Sequence, residues 1–396
     1  MTKPLRVLYV ALVELDVPGG PAVHVANLMR GFHDIGVPTT LLAPRPRGPL
    51  AVEVAPTVRT VPFFGFGPLR LWIYDLLQAV GMILSIARSR PDLICLRDRG
   101  QGNRVALLLA RSFGIPYILE LNGRDPIDDD RTERGAIRGS IERWRRRARR
   151  RELADADAVV VNSEPLAAHI QTRYQLSVEK VRCVTMRVDG DRFRPLSKTE
   201  CRTELGISQS ALILGYLGSF QPTHDLESVL QALRHLLDRN IEARLRLIGS
   251  GNDLELFQNR VKELSLEDAV DLLGWVPHEQ IPVELNAIDV ALSLLTEERR
   301  ASAESLCKVK EFLACGVPTI INREGVPGFR EYPPGSVTPV ALDDPTTAGA
   351  DLADVIMQLD RSRRLETSRY VAREYSLASA ARETIESISE EISLST

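Results

Sequence analysis

Short apolar runs alternate along the chain with longer stretches whose apolar positions recur every three to four residues. The run Arg6–Leu12 predicts a buried strand, and Val13–Pro21, with Gly19-Gly20, predicts a loop. Val25, Leu28, Met29 and Phe32 then fall on one helical face, and Gly36 marks that helix's end. Strands are expected at Thr39–Ala43, Tyr117–Leu121 and Ala158–Asn162, with an apolar run after Pro91 and a helix from about Asn103 to Phe113. The second half repeats the alternation. Strand Leu212–Leu217 ends at Gly218. Helix Leu226–Arg239 carries its core face on Val229, Leu230, Leu233, Leu236 and Leu237. Strand Arg244–Ile248 runs into Gly249-Ser250-Gly251, which opens helix Asp253–Leu264. Val270–Leu273, Gly274-Trp275, a short helix and strand Val290–Leu294 follow. Such alternation predicts doubly wound, mainly parallel α/β sheets.

Length divides this pattern in two. A chain of 396 residues exceeds one compact core. A segment rich in charge, Gly and Pro, Val184–Pro195, falls near its middle. The expected division is residues 1–190, residues 191–375, and a C-terminal helix over 376–396 crossing back to the first domain.

Composition narrows the class. A net charge of −3 argues against generic nucleic-acid binding. The five cysteines form no CxxC pair and read as reduced thiols of a cytoplasmic protein. The opening MTKPLRVLYVAL lacks the layout of a signal peptide. The most apolar stretch, Leu69–Ala87, is interrupted by Asp75 and Gln78, which argues against a membrane span.

Chemistry concentrates in residues 305–321, SLCKVKEFLACGVPTII. Val309, Phe312 and Leu313 make one apolar face of a short helix, with Lys308 and Glu311 off it. Gly316 supplies a left-handed cap, Pro318 follows, and a buried strand begins. The alternative for Glu311 is an ordinary surface glutamate on a crossover helix.

This block resembles the nucleotide-sugar segment of retaining glycosyltransferases of the family-four type. The resemblance continues through Gly19-Gly20 before a helix carrying His24, PDLICLRDRG, GIPYILELNG, ADAVVVNSEPLAAHI, TMRVDGDRFRP, LGSFQPTHDLESVLQAL, LRLIGSGNDLELF and VDLLGWVP. It implies the GT-B architecture, two Rossmann-like domains facing a cleft. The first would bind the acceptor and the second a nucleotide sugar, with a UDP-sugar favoured over a GDP-sugar. It implies Glu311 on the ribose and Trp275 with Val276 near the base; the first glutamate of the family's two-glutamate motif would fall on Ala303, and Glu304, one residue out of register, is the candidate beside it. Gly19, Gly20, Ser219, Gly249, Ser250 and Gly251 would lie near the phosphates, where bare N–H groups at helix N-termini favour anions. No cofactor is expected and no metal, since helix termini and cations can take the diphosphate charge; Asp128-Asp129-Asp130 reads as a solvated loop or a helix start rather than a metal site.

The chain departs from the family pattern at several points. Asn122-Gly123 stands where many relatives have His-Gly, so no general base is present there. A subset pairs Glu-x-Asn with an upstream arginine comparable to Arg97. Ser219 and His224 replace the usual Arg and Lys of the loop after the first strand of the second domain, leaving Lys308 as a cation for the leaving group. Asn122, Arg97, His224 and Lys308 are therefore the candidate catalytic residues. These losses leave two alternatives open, a non-catalytic nucleotide-binding protein of the same fold and a sugar-nucleotide epimerase.

Four features have two readings each. Arg131–Arg151 contains ten arginines with two glutamates and Trp144. It is either a solvated helix with an apolar stripe at Ile137, Ile141, Trp144 and Ala148, or a patch for an anionic membrane or lipid-phosphate acceptor. Pro62–Tyr74 is an acceptor lip or a core helix. Trp275 is a base platform or a buried packing residue, and His224 a phosphate ligand or a helix cap.

Overall fold

The computed structural model describes residues 5–387 except Pro18, 55–56, 64–66, 99–102, 123–135, Met186, Ser219, 221–223, Asn252, 297–306, 323–331 and Asp343. Side chains of 67–72, 136–145 and Cys307 are also outside the described set. The chain divides into two compact units, one of residues 1–186 with 377–396, the other of residues 187–376.

The first unit runs β1 (Val7–Val10), α1 (Gly20–Asp34), β2 (Thr39–Pro44), β3 (Thr57–Val61), α2 (Gly67–Ser89), β4 (Leu93–Arg97), α3 (Arg104–Ser112), β5 (Tyr117–Leu121), α4 (Ala136–Asp155), β6 (Ala158–Val161), α5 (Glu164–Tyr174) and β7 (Val181–Cys183). Its seven strands lie in the order β3-β2-β1-β4-β5-β6-β7, every pair parallel. Tyr9 pairs with Cys95, and Arg97 with Glu120, which sets polar side chains at the C-terminal ends of adjacent strands. Side chains alternate between the faces. Leu8, Val10, Leu96 and Leu119 pack with α2, α3, α4 and α5, while Tyr9, Cys95 and Ile118 pack with α1. The face occupied by α1 thus also carries Arg97 and Glu120.

The second unit runs α6 (Lys198–Glu204), β8 (Leu212–Leu217), α7 (Leu226–Asp238), β9 (Ala243–Ile248), α8 (Leu254–Glu263), β10 (Val270–Gly274), α9 (Ile281–Ala287), β11 (Val290–Ser293), α10 (Cys307–Ala314), β12 (Thr319–Asn322), β13 (Val337–Val340), α11 (Ala348–Gln358) and α12 (Arg364–Glu374). Its six strands are also parallel, in the order β10-β9-β8-β11-β12-β13. Buried ion pairs brace it. Asp289 accepts from Arg202, Lys198 and the Ile213 amide, and Arg246 bonds Glu284 at 2.7 Å and Asp271 at 3.0 Å.

The chain then returns to the first unit as α13 (Leu377–Glu386), which packs against α1. A Cβ on Gly31 would meet the Leu377 carbonyl oxygen at 2.3 Å, so the two helices approach backbone to backbone there. Among the described residues no helix is long and apolar enough to cross a membrane.

Candidate active site

In the first unit one buried carboxylate organises the ends of three strands. Glu120, on β5, is 5% exposed. Its Oε2 accepts from the Tyr9 hydroxyl on β1, and its Oε1 meets His24 Nε2 on α1. The Asn122 amide nitrogen donates to the same Oε1 at 2.8 Å. Burial pushes this carboxyl upward, but His24, the Arg97 guanidinium and the Tyr9 hydroxyl outweigh it and hold the group down to about 2. The Tyr9 hydroxyl is pushed well up by burial and by Glu120. Arg97 Nη1 is buried with no hydrogen-bond partner among the described residues.

Asn122 and Arg97 thus both act on Glu120, whose partner His24 lies one turn along α1 from Gly20. Gly19 and Gly20 are exposed at the start of α1, whose cap has no side-chain hydrogen bond, so its first amides are open. Tyr9, Glu120 and the role of His24 are absent from the sequence-derived set. A signal existed: a lone carboxylate inside Tyr-Ile-Leu-Glu-Leu, a strand covered on both faces, must find partners.

Next to this network lies a second buried cluster. Arg149 of α4, 2% exposed, donates from Nη1 to Asp98 at 2.8 Å and to Glu152 at 3.1 Å, and Asn103 also bonds Asp98, at 2.6 Å. Neither the solvated-helix nor the membrane-patch reading of Arg131–Arg151 holds for Arg149, which is buried. Arg149 is an internal counterion, whereas Arg146, Arg147, Arg150 and Arg151 are exposed. The Asp triplet, the apolar stripe at Ile137, Ile141 and Trp144, and the segment's first arginines lie outside the described residues.

In the second unit the site forms around Tyr216, near the end of β8. Lys308 Nζ lies 4.6 Å from the Tyr216 ring centroid, and the His224 ring meets the same ring edge-on at 5.7 Å. A Cβ on Gly218 would come within 3.0 Å of Lys308 Nζ. His224 and Lys308 thus flank the loop that leaves β8. The capping alternative for His224 fails, because Asp225 caps α7 by accepting from the Ser228 amide at 3.1 Å.

Glycines let this loop lie on its neighbour. Gly249, at φ +136°, would with a Cβ meet the Gly218 carbonyl oxygen at 1.8 Å. Gly251 would meet the Phe220 carbonyl oxygen at 2.1 Å, and the Phe220 amide donates to the Ser250 carbonyl at 3.2 Å. Packing between adjacent loops therefore already requires glycine at 249 and 251, independently of any ligand. Ser250 is exposed.

On α10, Val309, Phe312 and Leu313 are fully buried, which fixes the helix against the core of the unit. Gly316, at φ +74°, ends it, with the Val317 amide bonding the Phe312 carbonyl at 2.9 Å. This placement buries Glu311 as well, to 7% exposure, so it is not the ordinary surface glutamate of the bland reading. None of the described residues hydrogen-bonds its carboxylate. Burial pushes its pKa up to about 7, and Lys308, one turn away, pulls only partly against that. Trp275 stands 52% exposed after Gly274 and is not a packing residue, while Val276 packs against the core. Ser219 and Glu304 lie outside the described residues. Among those described, no group of three or more His, Cys, Asp or Glu is placed to hold a metal.

Comparison with known proteins defines the class. Residues 18–192 match the family described as "Glycosyltransferase Family 4", and residues 197–359 match "Glycosyl transferases group 1". The fold is GT-B. It superposes on sucrose-phosphate synthase from Thermosynechococcus elongatus with a TM-score of 0.76 at 16% identity, covering 99% of this chain and 100% of that one. It superposes on Anabaena HepE, solved with UDP, with a TM-score of 0.72 at 13% identity over 98% and 100% of the two chains. The chain belongs to the family-four glycosyltransferases and is an enzyme of that class. It is 27% identical to the D-inositol 3-phosphate glycosyltransferase of Corynebacterium jeikeium over 78% of this chain and 76% of that protein. Identity to the Thermobispora bispora protein of the same description is 26%, over 93% and 90%.

Proposed function

We propose that the enzyme transfers a sugar from a nucleoside diphosphate to an acceptor hydroxyl with retention of anomeric configuration and without a metal. The observation that carries this reading is Glu311, a buried carboxylate beside the cation of Lys308 that no described residue hydrogen-bonds. A ribose supplies the missing donors, two adjacent hydroxyls that an acceptor-only carboxylate can take together. The exposed Trp275 ring offers a stacking face for a base. As the glycosidic bond breaks, charge grows on the departing diphosphate. Lys308, the neighbouring His224 and the amides after Gly218 and Gly249 are the groups that would meet it. No candidate nucleophile lies among the described residues of this cluster, so positioning and leaving-group stabilisation would carry the chemistry. In the first unit, Arg97, Asn122 and the amides of Gly19 and Gly20 would face the acceptor.

UDP is favoured because HepE was solved with UDP and with UDP-glucose. The relatives' description makes D-inositol 3-phosphate the first acceptor to try. The test is a thermal-shift panel of UDP, GDP and their sugars, followed by a transfer assay with the best donor. Ligands that bind the folded state alone raise the melting temperature by mass action. A panel without any shift refutes the reading.

A second observation supports work at the cytoplasmic face of an anionic membrane. On α2, Leu76, Val80, Ile83 and Leu84 form a stripe turned to solvent, Leu76 being 68% exposed. α3, packed beside it, exposes Val105 and Leu108, and Arg111 of α3 pairs with Asp155 of α4 at 3.0 Å. Exposed apolar side chains on α2 and α3, together with exposed arginines on α4, are the composition of an interfacial surface. The four cysteines whose side chains are described, Cys95, Cys183, Cys201 and Cys315, carry free thiols, which agrees with a reducing compartment. Sedimentation with anionic vesicles at low salt tests it, and protein that never sediments refutes it.

A further inference from the structure

The network beneath Asn122 has a chemical consequence for what binds above it. Glu120 receives the Tyr9 hydroxyl, His24 Nε2 and an Asn122 nitrogen. An ionised carboxylate can only accept, so the group of Asn122 that faces it must be the NH2 and not the carbonyl. The amide plane then carries Oδ1 on the side away from Glu120, and no described residue donates to it.

We infer that Glu120 is a positioning residue that turns the Asn122 carbonyl outward, so that this position takes a ligand hydroxyl as hydrogen-bond donor. The inference rests on the proposed sugar-transfer reading and assigns one subsite within it. A site with an outward carbonyl selects a polyol or sugar hydroxyl there and disfavours an ether or ester oxygen, which would set two acceptors face to face and leave both unpaired. Tyr9 holds Oε2 and His24 shares Oε1 with Asn122, so a flipped Asn122 would set its carbonyl against a carboxylate oxygen. Arg97, across the strand pair from Glu120, supplies a compensating cation and offers a buried Nη1.

Two measurements test it. The first needs no turnover: the side-chain amide of Asn122 is read by 15N–1H NMR in the full chain. One of its two Nδ2 protons is expected to be protected from exchange; two freely exchanging protons overturn the inference. The second is a double-mutant cycle on kcat/KM. It uses whichever of UDP-glucose, UDP-N-acetylglucosamine or GDP-mannose the unaltered enzyme turns over, with D-inositol 3-phosphate as acceptor. Glu120→Met is expected to cost roughly ten- to hundredfold in the parent and within about threefold in Asn122→Ala, the coupling found for contacting polar residues. Glu120→Gln keeps an oxygen for Asn122 and is expected to rescue most of the rate. Equal losses of Glu120→Met in both backgrounds, or no rescue by Gln, overturn the inference. No turnover of any donor by the unaltered enzyme refutes the transfer reading instead, and the amide measurement still decides the orientation. Should the Met variant fail to fold, the Gln variant and the NMR experiment remain.

Discussion

Glu311→Gln should make the ligand-free protein more stable and the nucleotide complex weaker. The buried carboxyl moves from 4.5 to about 7, a rise of about 2.5 pH units, since the two values differ by that amount. Each unit is about 1.36 kcal/mol, so ionised Glu311 costs the folded state about 3 kcal/mol relative to the unfolded chain. The folded pKa is the higher one, so the folded state binds the extra proton. The favourable contribution is complete below about pH 4.5, declines as pH rises, and is gone above about pH 7. Glutamine has no proton to lose. The stability difference between variant and parent should therefore be near zero at pH 4.5 and grow to about 3 kcal/mol at pH 8.

Thermal unfolding at pH 4.5, 6 and 8 reads this directly. For a unit of this size a kcal/mol is worth roughly 2–4 °C, so the variant should melt several degrees higher at pH 8. Nucleotide affinity, by calorimetry at pH 8, should fall on the order of tenfold or more, because hydrogen bonds to a charged group contribute about 1.5–3 kcal/mol. A gain in stability that does not depend on pH would show that Glu311 is not titrating. Unchanged affinity would remove it from the site.

Trp275→Ala should lower nucleotide affinity by about 1–3 kcal/mol of lost stacking and leave the melting temperature alone, since the ring is mostly solvated; a stability loss with normal binding would make it a packing residue. The arginines of α4 should separate by burial. Replacing Arg146, Arg147, Arg150 and Arg151 by Ser should abolish vesicle sedimentation without unfolding, at about 1 kcal/mol of binding per charge. Arg149→Ser should instead cost about 3–5 kcal/mol of stability, because it strands two buried carboxylates; the reverse pattern would refute the assignment. Turnover should survive excess chelator, and loss restored by magnesium or manganese would refute the metal-free reading. His224→Lys should retain transfer where His224→Ala is slow; equal rates for all three would remove His224 from the leaving-group site.

Interior strands were legible because both faces are covered and the sequence shows an unbroken apolar run. Tyr117–Leu121 and Leu212–Leu217 coincide with their expected limits. The strands without such a signal are β3, β7 and β13, all at sheet edges. Thr57–Val61 is largely solvated, Val181–Cys183 has three residues, and Val337–Val340 contains Pro339, so each lacks the apolar pattern by which a central strand is read. The same limit applies to the sites. Residues 305–321 were readable because helix, cap and strand signals are contiguous. The Tyr9–His24–Glu120 network joins positions 111 and 96 residues apart, and no local pattern reports such a pairing.

Two buried glutamates, one in each unit, carry the most specific physical content of the chain. Both pay desolvation, yet their proton affinities move in opposite directions. Glu120 meets a phenol, an imidazole, an amide and a guanidinium, so its charge is satisfied before any ligand arrives, and its task is to hold other groups still. Glu311 meets one cation and, among the described residues, no hydrogen-bond donor, so none of them completes its charge. A fold selected only for stability would fill that position with an apolar residue. Local rules broken without internal compensation mark the places where a ligand supplies what is missing. By that criterion Glu311 is a binding residue and Glu120 a positioning one. Their glutamine variants should therefore behave oppositely at neutral pH, Glu311→Gln gaining stability and Glu120→Gln losing it.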